Sequence, residues 1–334
     1  MKIAFFEIQG WEISEIKSKL KGHDVKIFSE PLNLDNLDRA KDVEIISVFI
    51  YSKINKKIID KLKKVKLITT RSMGYDHIDV KECKKKKIKV CVVPTYGENT
   101  VAEHAFALLL ALSRKVHQSY LRKLANDFCI DGLMGFDLQG KTLGVIGAGE
   151  IGKHVIRIAR GFEMNVLVND RHEDDFLAEQ LGFKYASLAE VLKKSDVISL
   201  HVPYSKENHH MIDASSFEKM KKGVILINTA RGPLIDSSAL LNALDKKIVS
   251  GVGLDVIEGE NLIREEREIL HHEKNRKDLE LLAKDHELLR RDNVVFTPHI
   301  AFYSKEALEK IIKKTVENIL GFKKNGLDKE SVVA

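Results

Sequence analysis

Three side chains able to bind an anion, hold a proton and pass it on stand just beyond apolar, β-branched runs in the second half of the chain. Arg231 follows Ile225-Leu226-Ile227-Asn228-Thr229-Ala230, Glu260 comes shortly after Gly253-Leu254-Asp255, and His299 follows Val294-Val295-Phe296-Thr297-Pro298. A guanidinium grips a carboxylate and polarises a neighbouring carbonyl, and an imidazole exchanges a proton near neutral pH. A carboxylate on the second ring nitrogen stabilises the charged imidazole. Together they would serve a reduction in which a carbonyl beside a carboxylate gains a proton. Taken singly, each has an ordinary alternative: a surface Arg, one structural His among 13, an acid in a charged stretch.

The sharpest local pattern lies upstream. Thr142-Leu143-Gly144-Val145-Ile146 reads as a strand and leads into Gly147-Ala148-Gly149-Glu150-Ile151-Gly152. A helical pattern follows (Val155, Ile156, Ile158, Ala159), then a strand pattern, Val166-Leu167-Val168, that ends at Asn169-Asp170. The first glycine permits a tight turn, the second lets backbone approach a pyrophosphate, and the third lets helix pack on strand. Free N–H groups at the helix start meet the phosphates. G-x-G-x-x-G alone arises by chance in glycine-rich turns; between strand and helix, with an acid about 20 residues on, it reads as a dinucleotide site. Asp170 is placed to bond the adenosine ribose hydroxyls and repel a 2′-phosphate, which favours NAD over NADP. Arg171 and His172 beside it soften that preference.

These residues need a scaffold, and the sequence describes two modules. Apolar runs at 3–6, 25–28, 45–49, 67–70 and 90–93 alternate with amphipathic stretches such as 11–21 and 56–65. A second series of strand patterns covers 142–146, 166–168, 197–200, 224–228, 251–254 and 294–297. Such alternation predicts α/β architecture, with parallel sheets covered by helices. Ligands of open α/β sheets bind at the carboxyl ends of the strands, where Arg231, Glu260 and His299 fall. A long helical pattern at 100–126 separates the modules, and another at 304–322 suggests that the tail returns to complete the first. Residues 258–292 break the rhythm: they are rich in charge, and Ile269, Leu270, Leu279, Leu281, Leu282, Leu288 and Leu289 suggest two helices lying on the protein.

Bulk properties narrow the class. The 334 residues suit about two domains, and 44% hydrophobic content suffices for ordinary cores. A net charge of +6, with clusters such as Lys84-Lys85-Lys86-Lys87, is solvated surface suited to small anions and falls short of a nucleic-acid-binding composition. Cys83, Cys91 and Cys129 are too few and scattered for a disulfide framework, which fits a reduced cytoplasmic setting. The longest apolar run, 105–112, is far below the roughly 20 residues of a membrane helix. The N-terminus reads as a strand, without the apolar region of a signal peptide. His209-His210 and His271-His272 lack a ligand spacing, so no metal is expected.

Several motifs in order resemble the D-isomer-specific 2-hydroxyacid dehydrogenases. They are Arg71-Ser72-Met73-Gly74-Tyr75-Asp76-His77-Ile78-Asp79, Val101-Ala102-Glu103-His104, the Gly147–Gly152 fingerprint, Thr229-Ala230-Arg231-Gly232, Gly253-Leu254-Asp255-Val256 with Glu258-Gly259-Glu260, and Thr297-Pro298-His299-Ile300-Ala301. The resemblance spans essentially the whole chain and is nearest to the D-lactate dehydrogenase branch. It implies two Rossmann-like, doubly wound parallel-sheet domains with a cleft between them. Residues 1–98 and 300–334 would form a discontinuous substrate domain, 99–299 the NAD-binding domain, and the assembly would be a homodimer. It also implies Arg231, Glu260 and His299 as catalytic residues. Cofactor contacts would come from Gly147, Gly149, Glu150, Ile151, Gly152, Asp170, His201, Val202, Pro203, Thr229, Ala230 and Asp255, and substrate contacts from Tyr51, Met73, Gly74, Tyr96 and Phe302.

The expected reaction is reduction of a small 2-keto acid by NADH, with pyruvate giving D-lactate. His299 would act as general acid, Glu260 would support its imidazolium, and Arg231 would hold the carboxylate. Two other readings remain: a dehydrogenase for another 2-keto acid, and an NAD-sensing corepressor-like protein that binds peptide motifs.

Overall fold

The computed structural model describes residues 1–260, 276–324 and 326–334. They divide into two compact units, 1–97 with 304–334 and 98–303. Each unit is built on a parallel sheet.

In the first unit the strands are β1 (Lys2–Phe5), β2 (Asp24–Ile27), β3 (Ile45–Val48), β4 (Leu67–Thr70) and β5 (Lys89–Cys91). They lie in the order β2-β1-β3-β4-β5, all parallel. Every residue of β3 and β4 is buried, because helices cover both faces of such a sheet; continuous apolar runs result where a half-exposed sheet would alternate. The helices Gly10–Lys19 and Lys305–Lys323 bring Ile16, Ile312, Val316 and Ile319 against Ile3, Phe5, Ile45 and Leu67. Ser304 caps the second of these by accepting the Ala307 amide at 3.2 Å. The last residues pair with the outer edge of β5: Val92 donates to Ser331 O (2.8 Å) and Val333 to Val90 O (2.9 Å), which closes an exposed strand edge.

The stretch 56–65 differs from its helical pattern. Only Lys56–Ile59 is α-helical; beyond it Lys61 and Leu62 bond three residues back, to Ile58 and Ile59. Leu62 and Val65 still reach the core, but from turns that swing the chain into β4.

The second unit holds β6 (Thr142–Ile146), β7 (Asn165–Asn169), β8 (Lys184–Tyr185), β9 (Val197–Leu200), β10 (Val224–Asn228), β11 (Val249–Leu254) and β12 (Val294–Phe296). Their parallel order is β12-β11-β10-β9-β6-β7-β8. The chain runs outward from β6 to β8 and then returns through β9 on the other side, so the strand order reverses between β6 and β9. A ligand crevice opens at such a point. At two residues, β8 is too short to leave a period in the sequence.

Helices Glu98–Ser113 and Glu150–Gly161 cover one face through Ala102, Phe106, Leu109, Val155 and Ile156. The helices Leu188–Lys194, Ser237–Asp245 and Arg276–Leu289 cover the other through Val191, Leu192, Leu240, Leu241 and Leu288. The long pattern at 100–126 is two helices, Glu98–Ser113 and Val116–Leu124, divided at Lys115, whose φ of 51° cannot continue an α-helical ladder. The second of them buries no residue. In the charged segment, Arg276–Leu289 is one helix, whereas Ile269, Leu270 and His271-His272 lie outside the described residues. Among the described residues, no helix is long and apolar enough to cross a membrane.

Candidate active site

The glycine turn joins β6 to the helix Glu150–Gly161. Gly147 has φ +99°, and a Cβ there would stand 2.6 Å from the His201 carbonyl oxygen. A Cβ on Gly152 would come within 2.1 Å of Gly147 O. These two glycines are thus required by packing against β9 and within the turn. Gly149 is different: it caps the helix, and a Cβ on it would meet nothing within 4 Å. Open space over a helix N-terminus is what a pyrophosphate needs, and Glu150 and Ile151 open that helix.

Asp170, one residue beyond β7, accepts the Ala148 amide (2.6 Å) and the His172 amide (3.0 Å), bracing the turn with the carboxylate expected to meet the ribose. After β9 comes His201-Val202-Pro203. The His201 ring bonds Ser199 Oγ at 2.7 Å, and burial pushes its pKa down to about 3, so the ring is neutral. Its Nδ1 is buried without a partner, as is Thr229 Oγ1 just after β10. Two orphaned polar atoms on neighbouring strand ends are unusual in a folded protein and mark hydrogen-bonding capacity left for a ligand.

The proposed proton chemistry sits on the adjacent strand ends, β10, β11 and β12. His299 has φ +55°, a left-handed conformation that costs a non-glycine residue about 1–3 kcal/mol. The surroundings offset that strain. The His299 amide bonds Asp255 O and Thr297 O, each at 2.9 Å. The wholly buried Asp255 carboxylate accepts Thr297 Oγ1 (2.6 Å), Ile300 N (2.9 Å) and Ala301 N (2.9 Å). Asp255, expected among the cofactor contacts, therefore commits both carboxylate oxygens to the turn that presents His299. His104 completes the brace through Thr297 Oγ1 at 2.8 Å, and burial lowers its pKa although nearby Asp255 pulls the other way.

Glu260 Oε1 lies 3.1 Å from His299 Nδ1. A carboxylate only accepts, so Nδ1 carries the proton of that bond and Nε2 is left for chemistry. The turn carrying Glu260 is pinned from two sides: Gly259 N donates to Asp285 (3.0 Å), and His210 Nε2 meets Glu258 Oε1 (2.7 Å). Arg231 leaves β10 through a turn stiffened by buried Asn228, which donates to Arg231 O (2.9 Å) and accepts from Ala230 N (3.0 Å). Its guanidinium donates to Ala230 O at 2.7 Å. A Cβ on Gly232 would fall 2.1 Å from Ile257 O, so only glycine lets the Arg231 turn rest on the backbone leading to Glu260.

The remaining expected positions follow strand ends in the first unit. Tyr51 lies after β3, Met73 and Gly74 after β4, and Tyr96 after β5; Tyr51 and Met73 are exposed, Gly74 and Tyr96 half-buried. Phe302 belongs to the second unit, buried edge-on against Tyr303.

Comparison with known proteins bears directly on this arrangement. Residues 106–301 match the family described as D-isomer specific 2-hydroxyacid dehydrogenase, NAD binding domain. The chain belongs to that family. A 2-hydroxyacid dehydrogenase homolog of Zymomonas mobilis is 36% identical, with 96% of each chain covered. An aromatic 2-oxoacid reductase of Clostridium sporogenes is also 36% identical, covering 100% of this chain and 99% of that one. Among solved structures, D-lactate dehydrogenase of Aquifex aeolicus, crystallised with NAD and lactic acid, superposes with a TM-score of 0.89 at 39% identity over 99% of both chains. NAD is the cofactor of this dehydrogenase, and the open helix terminus at Gly149, the Asp170 carboxylate and the orphaned His201 and Thr229 atoms fit it.

Sequence reasoning did not single out Glu7, Thr297 or Asp285. Thr297 stood inside a quoted motif; Glu7 had a usable signal, an acid directly after an apolar strand. Asp285 had none, being one charge among many. His209, His210 and Glu258 bring potential metal ligands within 4.8 Å of one another. The two rings stack at 3.8 Å with an interplanar angle of 23°. Within the group, His210 holds Glu258 by its hydrogen bond, and His209 meets Tyr204.

Proposed function

We propose that this dehydrogenase reduces pyruvate to D-lactate. The observation that carries the chemistry is the His299–Glu260 pair, held by Asp255 on one side and Asp285 on the other, one strand end away from Arg231. NADH, held at the Gly149 helix terminus and by Asp170, would supply the hydride for the carbonyl carbon. Protonated His299 gives its Nε2 proton to the carbonyl oxygen, and Glu260 keeps Nδ1–H oriented and balances the imidazolium charge. Arg231 offers a planar donor fork to the carboxylate, so the acid is oriented and its carbonyl polarised. In the oxidative direction neutral His299 takes the hydroxyl proton.

The first unit is assigned to the substrate and the second to NAD. Substrate roles are assigned to Tyr51 and Tyr96 of the first unit and to Phe302 of the second, and backbone N–H groups at Met73 and Gly74 would receive the carboxylate. Pyruvate is favoured by the likeness to a structure solved with lactic acid; an aromatic 2-oxo acid is the second reading, favoured by the Clostridium relative. We also assign a homodimer. Val116, Tyr120, Leu121 and Leu124 of a helix without buried residues, together with Phe128, Ile130 and Met134, expose one apolar stretch of the cofactor unit that a second copy would cover. Light scattering on purified protein tests the dimer, which a single-chain mass at micromolar concentration would contradict. The reaction is tested by NADH consumption with pyruvate and by the handedness of the lactate formed.

A further inference from the structure

The first unit contains a hydrogen-bonded cluster, centred on half-buried Glu7 and buried Arg71, that none of the foregoing chemistry uses. Glu7 stands at the carboxyl end of β1 with φ +60°. Its Oε1 accepts the amides of Phe49 (3.1 Å) and Ser52 (3.0 Å) and, in a short bond, the Ser52 hydroxyl; Oε2 accepts the Tyr51 amide at 3.0 Å. One carboxylate thus gathers three backbone N–H groups of the loop after β3. Such convergence fixes the pitch of the loop and hence the direction in which Tyr51 leaves it.

The same device reaches the neighbouring loop. Buried Arg71 donates through Nη2 to Phe6 O and Glu7 O, both at 2.8 Å, and through Nη1 to Ser47 Oγ at 3.1 Å. Its guanidinium also lies over the Phe49 ring, 5.7 Å from the centroid. Arg71 is the residue from which the 72–74 loop departs, and that loop is tied back by Ser72 Oγ donating to Gly74 O at 2.7 Å. Two loops on adjacent strands are therefore referenced to a single point, the backbone and carboxylate of Glu7.

We propose that Glu7 is a positioning residue for substrate selectivity: by holding residues 49–52 in register with residues 72–74, it sets the size of 2-oxo acid side chain that the enzyme accepts. This rests on the assignment of Tyr51, Met73 and Gly74 to the substrate. A purely structural clamp would lower stability and affect all acids alike. A selectivity device changes the ratio between acids, because loosening the loop relaxes a steric limit on bulky side chains while a small acid loses its fit.

The test compares wild type, Glu7→Ala, Glu7→Gln and Ser52→Ala, each with NADH and either pyruvate or phenylpyruvate, alongside NADH affinity and thermal melting. Loss of a charge-assisted bond set in Glu7→Ala should raise KM for pyruvate and lower the pyruvate-to-phenylpyruvate ratio of kcat/KM, each by roughly tenfold, with NADH affinity within about twofold. Glu7→Gln should fall between, since its amide oxygen can serve Phe49 and Ser52 while its NH2 faces the Tyr51 amide. If Glu7→Ala does not fold, the graded change in Glu7→Gln and Ser52→Ala carries the same expectation. A ratio equal to wild type in the folded variants overturns the role of Glu7. Absence of wild-type turnover with any 2-oxo acid is a separate result, which refutes the dehydrogenase reading and this proposal together.

Discussion

Asp285→Asn should stabilise the protein, and more so at alkaline than at acid pH. Asp285 has no solvent exposure on the helix Arg276–Leu289, where it accepts Gly259 N at 3.0 Å and Ser237 Oγ at 3.4 Å. Burial lifts its pKa from 3.8 to about 6; nearby Glu258 adds to the rise, while the Gly259 amide, the Ser237 hydroxyl and His286 oppose it. The folded state therefore binds this proton more tightly than the unfolded chain. Its stabilising contribution is complete below pH 3.8 and is lost as pH climbs through about 6. At about 1.4 kcal/mol per pH unit, the fully ionised residue costs about 3 kcal/mol as an upper value. An Asn can keep both bonds, its oxygen toward Gly259 and its NH2 toward Ser237, without ever ionising. The expected gain approaches about 3 kcal/mol at pH 8 and is roughly half that at pH 5, where the wild-type group is already largely protonated. Urea unfolding of both proteins at the two pH values, followed by circular dichroism, measures it. A variant less stable than wild type at pH 8, or a gain equal at both, would refute the reasoning.

Three substitutions probe the second unit. Arg231→Lys retains charge but loses the planar fork, so kcat/KM for pyruvate should fall on the order of 100-fold with NADH affinity unchanged; a loss under threefold would remove Arg231 from substrate binding. Gly152→Ala drives a Cβ to 2.1 Å from Gly147 O, a backbone atom that cannot give way cheaply. It should abolish NADH fluorescence enhancement and lower the melting temperature, and normal binding would contradict the packing argument. Asp170→Ala removes the ribose acceptor and the brace on Ala148; KM for NADH should rise by about tenfold while NADPH becomes the relatively better cofactor. Paired kinetics with both dinucleotides decide it.

The scaffold was legible wherever burial imposed a pattern. β4, β6, β9 and β10 coincide with apolar runs because both faces are covered, and the strand-end position of Arg231 follows from the β10 run; β12, before His299, is apolar though only partly buried. Where local geometry decides, the pattern misleads. The apolar spacing of 56–65 is satisfied by turns, and a single left-handed Lys115 splits what reads as one helix. The site shows the same division. Gly147 and Gly152 announce themselves because backbone geometry permits little else, and Gly149 through its place in the same motif, whereas the work of Asp255, Asp285 and Glu7 depends on partners 26 to 48 residues away along the chain. No spacing rule encodes those bonds. His201 illustrates the limit: its place after β9 was readable, but its neutral, half-satisfied ring follows only from burial.

The most direct test of the account is to mix purified protein with NADH and pyruvate, follow the loss of NADH absorbance, and determine the handedness of the product. The account predicts rapid NADH loss with D-lactate as the only enantiomer, and its abolition in His299→Asn. L-lactate as product, or undiminished turnover in His299→Asn, would contradict the central claim.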